Sequence, residues 1–368
     1  MLYCFALVLE MEIKMYTVKE VTANEYEDFL SLPGRIHNKK FLMQKKDEER
    51  ELLKGTHTLS RYFTFKAFLC YCNDRIMARC AVTIYHGKDE AYLGFFDSEY
   101  DVTAAKTITQ TAQNYAKDNG IKKLIGPVDA SFWIGYRMKS NRFNEIPYFS
   151  EPYGKEYYPR LWKEMGFVVS EVYVSNIYKK FSKNEISGEK YIKRYNYFIE
   201  KGYEIISPQK ENWDRVIGEV YSLLIKLYSN FPVFSYITGE EFREMYKSLK
   251  VILDYSVLKL GYKDGKLAGF FITIPDYSNK LYGKLGLKEI LFLLKNRRKC
   301  GNYIHLYVGV DEEHLGLGSA LSQAVFEEMR KRKASSVGAL IKKGKVSEKY
   351  VDDKVLYQRE YLLFEKDL

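Results

Sequence analysis

The residues of this sequence with the clearest chemical potential are two glycines, Gly316 and Gly318, in the segment LGLGSA at positions 315–320. They follow residues 303–310, where apolar residues alternate as in a β-strand, and they precede apolar residues at helical spacing. The first N–H groups of a helix have no partner within the helix, and the helix dipole makes that end positive. Because glycine has no side chain, an anion can approach these groups closely. The pattern therefore predicts a backbone site for a phosphate-containing ligand.

Two common phosphate-binding motifs do not match this segment. A Walker loop needs a lysine after its last glycine, where this sequence has Ser319. A dinucleotide-binding fingerprint needs a third glycine where this sequence has Leu321. It also needs an acidic residue after the next strand, which is missing here. These mismatches argue against both motifs and leave an ordinary glycine turn as the simplest alternative to an anion site.

The segment resembles the pyrophosphate loop of the GCN5-related N-acetyltransferases (GNAT), a superfamily of acyl-CoA N-acyltransferases. In that family the loop amides bind the coenzyme A pyrophosphate, and the preceding strand pairs with the pantetheine arm. Leu315 is apolar, which departs from the family's pattern and leaves the contact to backbone amides. The resemblance implies acetyl-CoA, or another acyl-CoA, as cosubstrate and no metal. The residues that it implies for coenzyme binding are Val308, Gly309, Val310, Leu315, Gly316, Leu317, Gly318, Ser319 and Ala320.

Acyl transfer from a thioester to an amine also needs a base for the ammonium and an acid for the leaving thiolate. The resemblance implies Tyr350 as the acid, because many family members use a tyrosine on the helix after the fifth strand. His305, on the predicted strand, titrates near neutrality in its unperturbed form and is the candidate base, with Asp276 as the weaker one. Structural roles also explain these residues: a tyrosine ring packed in the core, and a histidine hydrogen-bonded within the sheet.

The acceptor pocket of this family usually lies between the first two helices of the domain. Here that position is occupied by residues 228–236, YSNFPVFSY. Their aromatic content favours an apolar or flat acceptor, although packing at a helix corner accounts for the same residues.

The predicted elements occur twice in the same order: strand, two helices, three strands, helix, strand, helix, strand. Gly94-Phe95-Phe96 and Gly126-Pro127 extend the resemblance into the first half. The expectation is an α/β fold with a mixed α+β sheet, made of two tandem GNAT-like acyl-CoA N-acyltransferase domains. Residues 1–180 form the predicted N-terminal GNAT-like domain, without coenzyme A binding, and residues 181–368 form the C-terminal GNAT domain with the acetyl-CoA loop.

The first half differs from the second at the turn that matches the glycine loop. Residues 97–101 contain Asp97, Glu99 and Asp101 and no glycine. Three carboxylates at a helix start would repel a pyrophosphate. The first half is therefore predicted to be structural, or to form one wall of the acceptor cleft.

Local signals also predict several helix ends. Residues 25–32 are expected to form a short helix that Pro33 and Gly34 end. Asp101 is expected to cap the helix after it, and Thr238 with Glu241 is expected to form a capping box. A short helix is predicted at residues 347–352.

The composition of the chain argues against some classes of binding partner. The chain has 368 residues and a net charge of +10, but its basic residues are spread over both halves, which argues against nucleic acid. The apolar run at residues 2–9 is too short for a membrane span, and five cysteines without ligand spacing fit a reduced cytoplasm. The expected partners are acyl-CoA and an amine acceptor, and a homodimer is left open.

Two other functions are compatible with the sequence. A Fem-like aminoacyl transferase also fuses two copies of this fold, but such enzymes usually lack a coenzyme loop, so Gly316 and Gly318 argue against it. A non-catalytic acyl-CoA sensor or binding module would need the loop but neither His305 nor Tyr350. Binding of coenzyme A distinguishes the first alternative, and thioester turnover distinguishes the second.

Overall fold

The computed structural model describes residues 14–185, 187–282, 286–297, 300–345, 348 and 354–368. The β-strands are β1 (Tyr16–Glu20), β2 (Phe63–Cys72), β3 (Arg75–Tyr85), β4 (Glu90–Ser98), β5 (Lys123–Gly126), β6 (Met138–Lys139), β7 (Val168–Tyr178), β8 (Tyr203–Ile206), β9 (Lys259–Lys263), β10 (Lys266–Pro275), β11 (Asn302–Val310), β12 (Ser335–Lys342) and β13 (Val355–Asp367). The α-helices are α1 (Tyr26–Ile36), α2 (Lys46–Lys54), α3 (Val102–Asp118), α4 (Tyr158–Glu164), α5 (Glu189–Glu200), α6 (Trp213–Tyr228), α7 (Gly239–Tyr246), α8 (Leu249–Ile252), α9 (Leu287–Asn296) and α10 (Leu317–Arg332). None of the described helices is long and apolar enough to cross a membrane.

The described strands form one continuous mixed sheet. Its order is β1-β2-β3-β4-β5-β13-β7-β12-β11-β10-β9-β8, and β6 pairs with β13. The pairs β4–β5 and β11–β12 are parallel, and the others are antiparallel. Strands β1 to β5 and β8 to β12 therefore run inward from the two edges in the same sequence, which confirms the predicted mixed α/β class and shows that the order of the strands repeats.

The two halves exchange strands in the middle of the sheet. β13, the last strand of the chain, pairs with β5 of the first half, where Phe364 lies opposite Gly126. β7 of the first half pairs with β12 of the second, where Tyr178 lies opposite Ser336. β7 and β13 also pair with each other. The domain boundary between residues 180 and 181 stays a prediction, and the hydrogen-bonded sheet runs across it without a break.

Buried apolar side chains form one large cluster with residues of both halves on one face of the sheet and two further clusters on the other face. The shared cluster lies on the face covered by α1, α2, α6 and α7, and it includes Phe29 and Trp213. On the opposite face, α3 and α4 cover a cluster with Ala105 and Trp162, and α10 covers a cluster with Leu321. Because the shared cluster is continuous between the halves, this face of the molecule packs as one unit.

Helix α1 continues through Pro33 to Ile36, so the prediction that Pro33 ends it is wrong. A proline inside a helix lacks the N–H that would bond to the carbonyl four residues earlier, which here is that of Phe29. The buried Arg79 replaces this donor, since its Nη1 lies 3.1 Å from the Phe29 oxygen. The extra turn places His37 against the sheet. By contrast, the predicted cap at Asp101 and the capping box of Thr238 and Glu241 are confirmed.

We expect residues 1–180, expressed alone, not to fold cooperatively, because β5 and β7 would then flank an empty strand position. The missing β13 buries Tyr361, Leu363 and Phe364, and each such side chain contributes about 2 kcal/mol when it is removed from water. Urea denaturation followed by circular dichroism measures this. Co-expression with residues 181–368 is the control and should restore one cooperative transition. A cooperative transition of the first fragment alone would contradict the importance of the strand exchange.

Candidate active site

A cavity of about 1230 Å³ lies between the two halves. Small-molecule pockets typically span about 300–1,000 Å³, so this cavity has room for two ligands side by side. Its wall includes His37, Asp97, Asp129 and Arg137 from the first half, and Tyr228, Tyr246, His305 and Tyr307 from the second. In the described part of the chain, no group of three or more His, Cys, Asp or Glu side chains is arranged to hold a metal ion.

In the second half, the cavity begins where strands β11 and β12 diverge. They pair in parallel over residues 302–305 and 335–338. Beside this point β11 carries a β-bulge, because consecutive residues of β10 pair with His305 and with Tyr307 and leave Leu306 as the extra residue. A bulge interrupts the ladder and redirects the backbone and its neighbouring side chains. The part of β11 after His305 that lines the cavity comprises Leu306, Tyr307, Val308, Gly309 and Val310.

The predicted glycine loop lies directly after β11, where α10 begins. Gly316 precedes the helix with φ = +96°, a conformation that residues with a β-carbon rarely adopt. No side chain of the described residues caps this helix end. Leu315 is 78% exposed, whereas residues 317–320 are buried. The cavity wall includes residues 308–310 but not residues 315–320, so the loop lies outside the cavity, next to the end of the strand that enters it.

Helix α5 places a positive charge beside this turn. A β-carbon on Gly316 would lie 3.6 Å from the guanidinium of the exposed Arg194. On the same turn, the Tyr203 hydroxyl is hydrogen-bonded to His314 Nδ1 at 2.7 Å. Sequence patterns do not indicate Arg194, because only tertiary packing brings α5 against α10.

The first half repeats the divergence and the bulge, but its bulge amide is occupied. Strands β4 and β5 pair briefly and then separate, and Phe95 lies in a bulge of β4 with φ = +50°. The Phe95 N–H donates to Asp129 Oδ1 at 2.6 Å. Gly94 allows this close approach, since a β-carbon there would lie 1.9 Å from the Val128 carbonyl oxygen. A carboxylate therefore fills the space in front of this amide.

The helix start of the first half is also occupied. Asp101 accepts a hydrogen bond from a first-turn amide of α3 at 3.0 Å. The other two carboxylates of the turn are paired, Glu99 with Arg75 and the buried Asp97 with Arg79, each at 2.9 Å. The three carboxylates thus do not act as one anionic cluster. That the first half cannot bind coenzyme A stays a prediction, and its physical basis becomes the occupied amides rather than summed repulsion.

His305 lies on the α10 side of the sheet and lines the cavity. Its ring centroid is 5.2 Å from that of Phe271, and its Nδ1 is 2.9 Å from Thr273 Oγ1. Burial lowers the pKa of His305 to about 3. The imidazole is therefore neutral at physiological pH, and a base with so low a pKa accepts a proton from an ammonium poorly. The assignment of His305 as general base stays a prediction.

Of the two remaining catalytic candidates, Asp276 is described by the structure and does not line the cavity. Tyr350, with the predicted helix at residues 347–352, lies outside the described residues. The Asp276 carboxylate accepts hydrogen bonds from the Phe149 N–H at 2.9 Å and from the Asn302 amide at 2.8 Å. These bonds join the end of β10 to a loop of the first half, which is a structural role.

The aromatic segment at residues 228–236 lies partly at the cavity and partly against the first half, and its role in acceptor binding stays a prediction. Tyr228 and Phe231 line the cavity. Phe234 instead packs against Trp133 of the first half at 5.6 Å between ring centroids. The Trp133 Nε1 donates to the carbonyl oxygen of Ser235 at 2.7 Å, so this part of the segment fixes a first-half loop against the second half.

Comparison with solved structures finds GCN5-related N-acetyltransferases, one of which is a tandem GNAT protein. A tandem GNAT protein from the clavulanic acid biosynthesis pathway aligns over 96% of this chain and 98% of its own, with a TM-score of 0.52 and 12% identity. The GCN5-related glucosamine N-acetyltransferase region of a fungal multi-domain β-N-acetylglucosaminidase aligns over 97% of this chain, with a TM-score of 0.56 and 12% identity; 38% of that longer chain is covered. No protein-family model and no curated protein matches the sequence. At these identities the comparison shows the fold.

We expect Asp129→Asn to stabilise the protein at alkaline pH. Desolvation raises the pKa of Asp129 to about 7, and the Phe95 N–H opposes that rise. The folded protein thus retains a proton that the unfolded chain, with a carboxyl pKa of about 3.9, releases. Stability from this group is complete below about pH 4 and is lost as the pH rises through about 7.

An asparagine keeps an acceptor for the Phe95 N–H but does not titrate. The free energy of unfolding in urea should therefore exceed that of the wild type by about 4 kcal/mol at pH 8 and match it to within about 0.5 kcal/mol near pH 4. If the free energies of unfolding of the variant and the wild type differed by the same amount at both pH values, Asp129 would not be a desolvated carboxyl.

His305→Gln tests the role of the neutral imidazole. A group with a pKa of about 3 is already deprotonated above about pH 5, so it contributes no step to the pH profile of kcat/KM between pH 5 and 9. We expect the variant to keep the shape of the wild-type profile and to lose at most about tenfold in rate. A step near pH 6.5 that disappears in the variant would restore His305 as the general base.

Proposed function

We propose that the protein is an acyl-CoA-dependent N-acyltransferase whose second half binds the coenzyme. The chain has a mixed α/β, tandem GNAT fold. One observation carries the proposal, and it is a difference between the halves. In the first half, Asp129 and Asp101 occupy the bulge amide and the helix-start amide. In the second half, Gly316 stands at the helix start, and no described side chain caps it.

In this proposal the coenzyme A diphosphate lies against the first-turn amides of α10, at residues 315–320. Arg194 adds a positive charge beside Gly316, which favours a diphosphate at a helix start. The pantetheine arm continues along Val308, Gly309 and Val310, which line the cavity. Because the strand leads from the loop into the space between β11 and β12, the thioester comes to lie near the bulge at Leu306.

The chemistry transfers an acyl group from sulfur to nitrogen. The amine nitrogen attacks the thioester carbonyl carbon, the C–N bond forms, the C–S bond breaks, and coenzyme A leaves as a thiolate that takes up a proton. Backbone N–H groups at the bulge and the following residues of β11 donate to the carbonyl oxygen as it becomes negative. The acceptor enters as a free amine and loses its remaining proton to water, since His305, with a pKa of about 3, is a weak base. Tyr350 stays the predicted acid for the thiolate.

We assign the first half to acceptor binding. Its cavity wall carries His37, Asp97, Asp129 and Arg137 beside aromatic rings such as Trp133, and the facing wall of the second half carries the rings of Tyr228, Tyr246 and Tyr307. An acceptor between these walls would meet rings on both sides and the positive charge of Arg137 on the first-half side. The acyl group is proposed to be acetyl, as the resemblance of the loop implies.

A second candidate is an acyl-CoA-binding module without turnover. The low pKa of His305 favours it, because a cavity without a competent base binds a thioester without promoting its aminolysis. Release of free thiol from acetyl-CoA in the presence of a panel of amines distinguishes the two: amine-dependent release supports the transferase, and binding without release supports the module.

Charge changes at Leu315 test the position of the diphosphate. Its side chain is 78% exposed, so substitutions should leave the fold intact while altering the potential beside Gly316. We expect Leu315→Glu to weaken coenzyme A binding about tenfold and Leu315→Arg to strengthen it by a similar factor, because a charge near a diphosphate contributes about 1 kcal/mol in a solvated site. Isothermal titration calorimetry with coenzyme A measures both.

Leu315→Gln is the control, since it has nearly the size of glutamate without its charge and should bind like the wild type. Thermal denaturation checks that all three variants fold. Equal affinities of the glutamate and arginine variants would place the diphosphate elsewhere, and the coenzyme-binding assignment of residues 315–320 would then be wrong.

A further inference from the structure

Arg137 lies on the loop between β5 and β6 of the first half, and it lines the cavity. Its guanidinium is held between two aromatic rings, 3.7 Å from the ring centroid of Tyr136 and 4.2 Å from that of Tyr173. One Nη atom donates to the Tyr136 hydroxyl, and the Nε has no hydrogen-bond partner among the described residues. The two rings, which lie at 88° to each other, hold the guanidinium in place but do not neutralise its charge.

Two buried cations of the cavity wall differ from Arg137 in having carboxylate partners. Arg79 pairs with Glu49 at 2.7 Å, and Lys139 pairs with Glu151 at 2.9 Å. No carboxylate of the described residues pairs with Arg137. The Arg137 side chain is half-buried and its Nε has no contact with water, and a partly desolvated charge without a partner is costly; this guanidinium therefore indicates a position where a ligand anion completes the pair.

The backbone holds this side chain in place despite strain. Arg137 has φ = +87°, which disfavours any residue with a β-carbon. Its N–H donates to the Pro127 carbonyl at 3.0 Å, and the preceding Tyr136 forms a β-bridge with Val128. Strained residues that the surroundings hold in this way are concentrated at binding sites. We therefore infer that the conformation of this loop serves to place the Arg137 side chain at the cavity.

The positive charge of Arg137 affects the pKa of two tyrosines of the second half. Burial raises the pKa of Tyr228 and of Tyr307, and the positive charge of Arg137 opposes the rise in both. Tyr228 lies at the end of α6, and Tyr307 lies beside the bulge of β11. Arg137 is therefore a first-half residue that acts at the cleft where the thioester is proposed to lie.

We propose that Arg137 binds a carboxylate of the acceptor, so that the amine substrate belongs to the class of amino carboxylates, such as amino acids or peptides, with an apolar or aromatic part. This inference rests on the proposed N-acyltransferase function. A planar carboxylate matches the guanidinium, which donates from several N–H groups in one plane. The rings of Tyr228, Phe231 and Tyr246, which line the same cavity, would contact the apolar part. Polyamines and neutral amino sugars would leave Arg137 unpaired.

The test compares two probes of the same shape, 3-phenylpropionate and its neutral analogue 3-phenylpropionamide, by calorimetry on the full chain. Wild-type protein should bind the carboxylate at least about tenfold more tightly than the amide. Arg137→Gln should abolish this preference by weakening only the carboxylate. Arg137→Lys should keep part of it, because an ammonium retains the charge but not the planar fork.

Arg142→Gln is the matched control, since Arg142 also lies over a tyrosine ring, that of Tyr357, but pairs with Glu145 at the surface. It should keep the wild-type preference. Equal affinity of the wild type for the two probes, including no measurable binding of either, would overturn the proposal. So would a preference that survives Arg137→Gln; should that variant not fold, the wild-type and Arg137→Lys comparisons decide.

Coenzyme A titrated into the same proteins separates this inference from the function on which it rests. Coenzyme A binding without a carboxylate preference would overturn the acceptor assignment alone. A carboxylate preference that depends on Arg137, without coenzyme A binding, would overturn the transferase proposal and leave the anion site standing.

Discussion

The exchange of β7 and β13 in the middle of the sheet determines the rest of the structure. A buried polar network fixes it: Glu151 of the first half accepts hydrogen bonds from Lys139 at 2.9 Å and from the Tyr361 hydroxyl of β13 at 2.6 Å, and it also pairs with Arg359 of β13. A buried charge is favourable only when its partners are complete, and Glu151 also accepts a hydrogen bond from the Tyr148 N–H at 3.2 Å as a fourth partner. Any shift of β13 along β7 would break this set, so the network defines one register. The cavity between the halves exists because this register holds them together.

The two halves share one arrangement of strands and differ in where a few carboxylates lie. In each half, two strands separate after a short parallel pairing, and the strand that precedes the long helix carries a bulge. In the first half Asp129 and Asp101 occupy the amides that a GNAT-like domain would offer to a coenzyme. In the same half, Arg137 lines the cavity between the two halves. We infer a division in which the second half holds the acyl donor and the first half selects the acceptor.

Local patterns predicted the parts of the structure that depend on neighbouring residues. The strand, the glycine turn and helix α10 are found as expected, because alternation, glycine and helical spacing act over a few residues. The helix end at Pro33 was predicted wrongly, because its compensation comes from Arg79 on another strand. The strand exchange, the position of Arg194 and the exposure of Arg137 to the cavity depend on contacts between distant segments. Neither composition nor periodicity contains that information, and a single sequence offers no covariation to supply it.

The central claim is that acyl-CoA enters the cleft of the second half and not that of the first. Hydrogen exchange measured by mass spectrometry, with and without acetyl-CoA, tests it most directly, because it reports the backbone amides themselves. We expect slower exchange at residues 306–320, around the bulge and the start of α10, and no change at residues 93–105, where the carboxyl groups of Asp129 and Asp101 already accept hydrogen bonds from the amides. Protection at residues 93–105, or no protection in either segment at saturating acetyl-CoA, would contradict it.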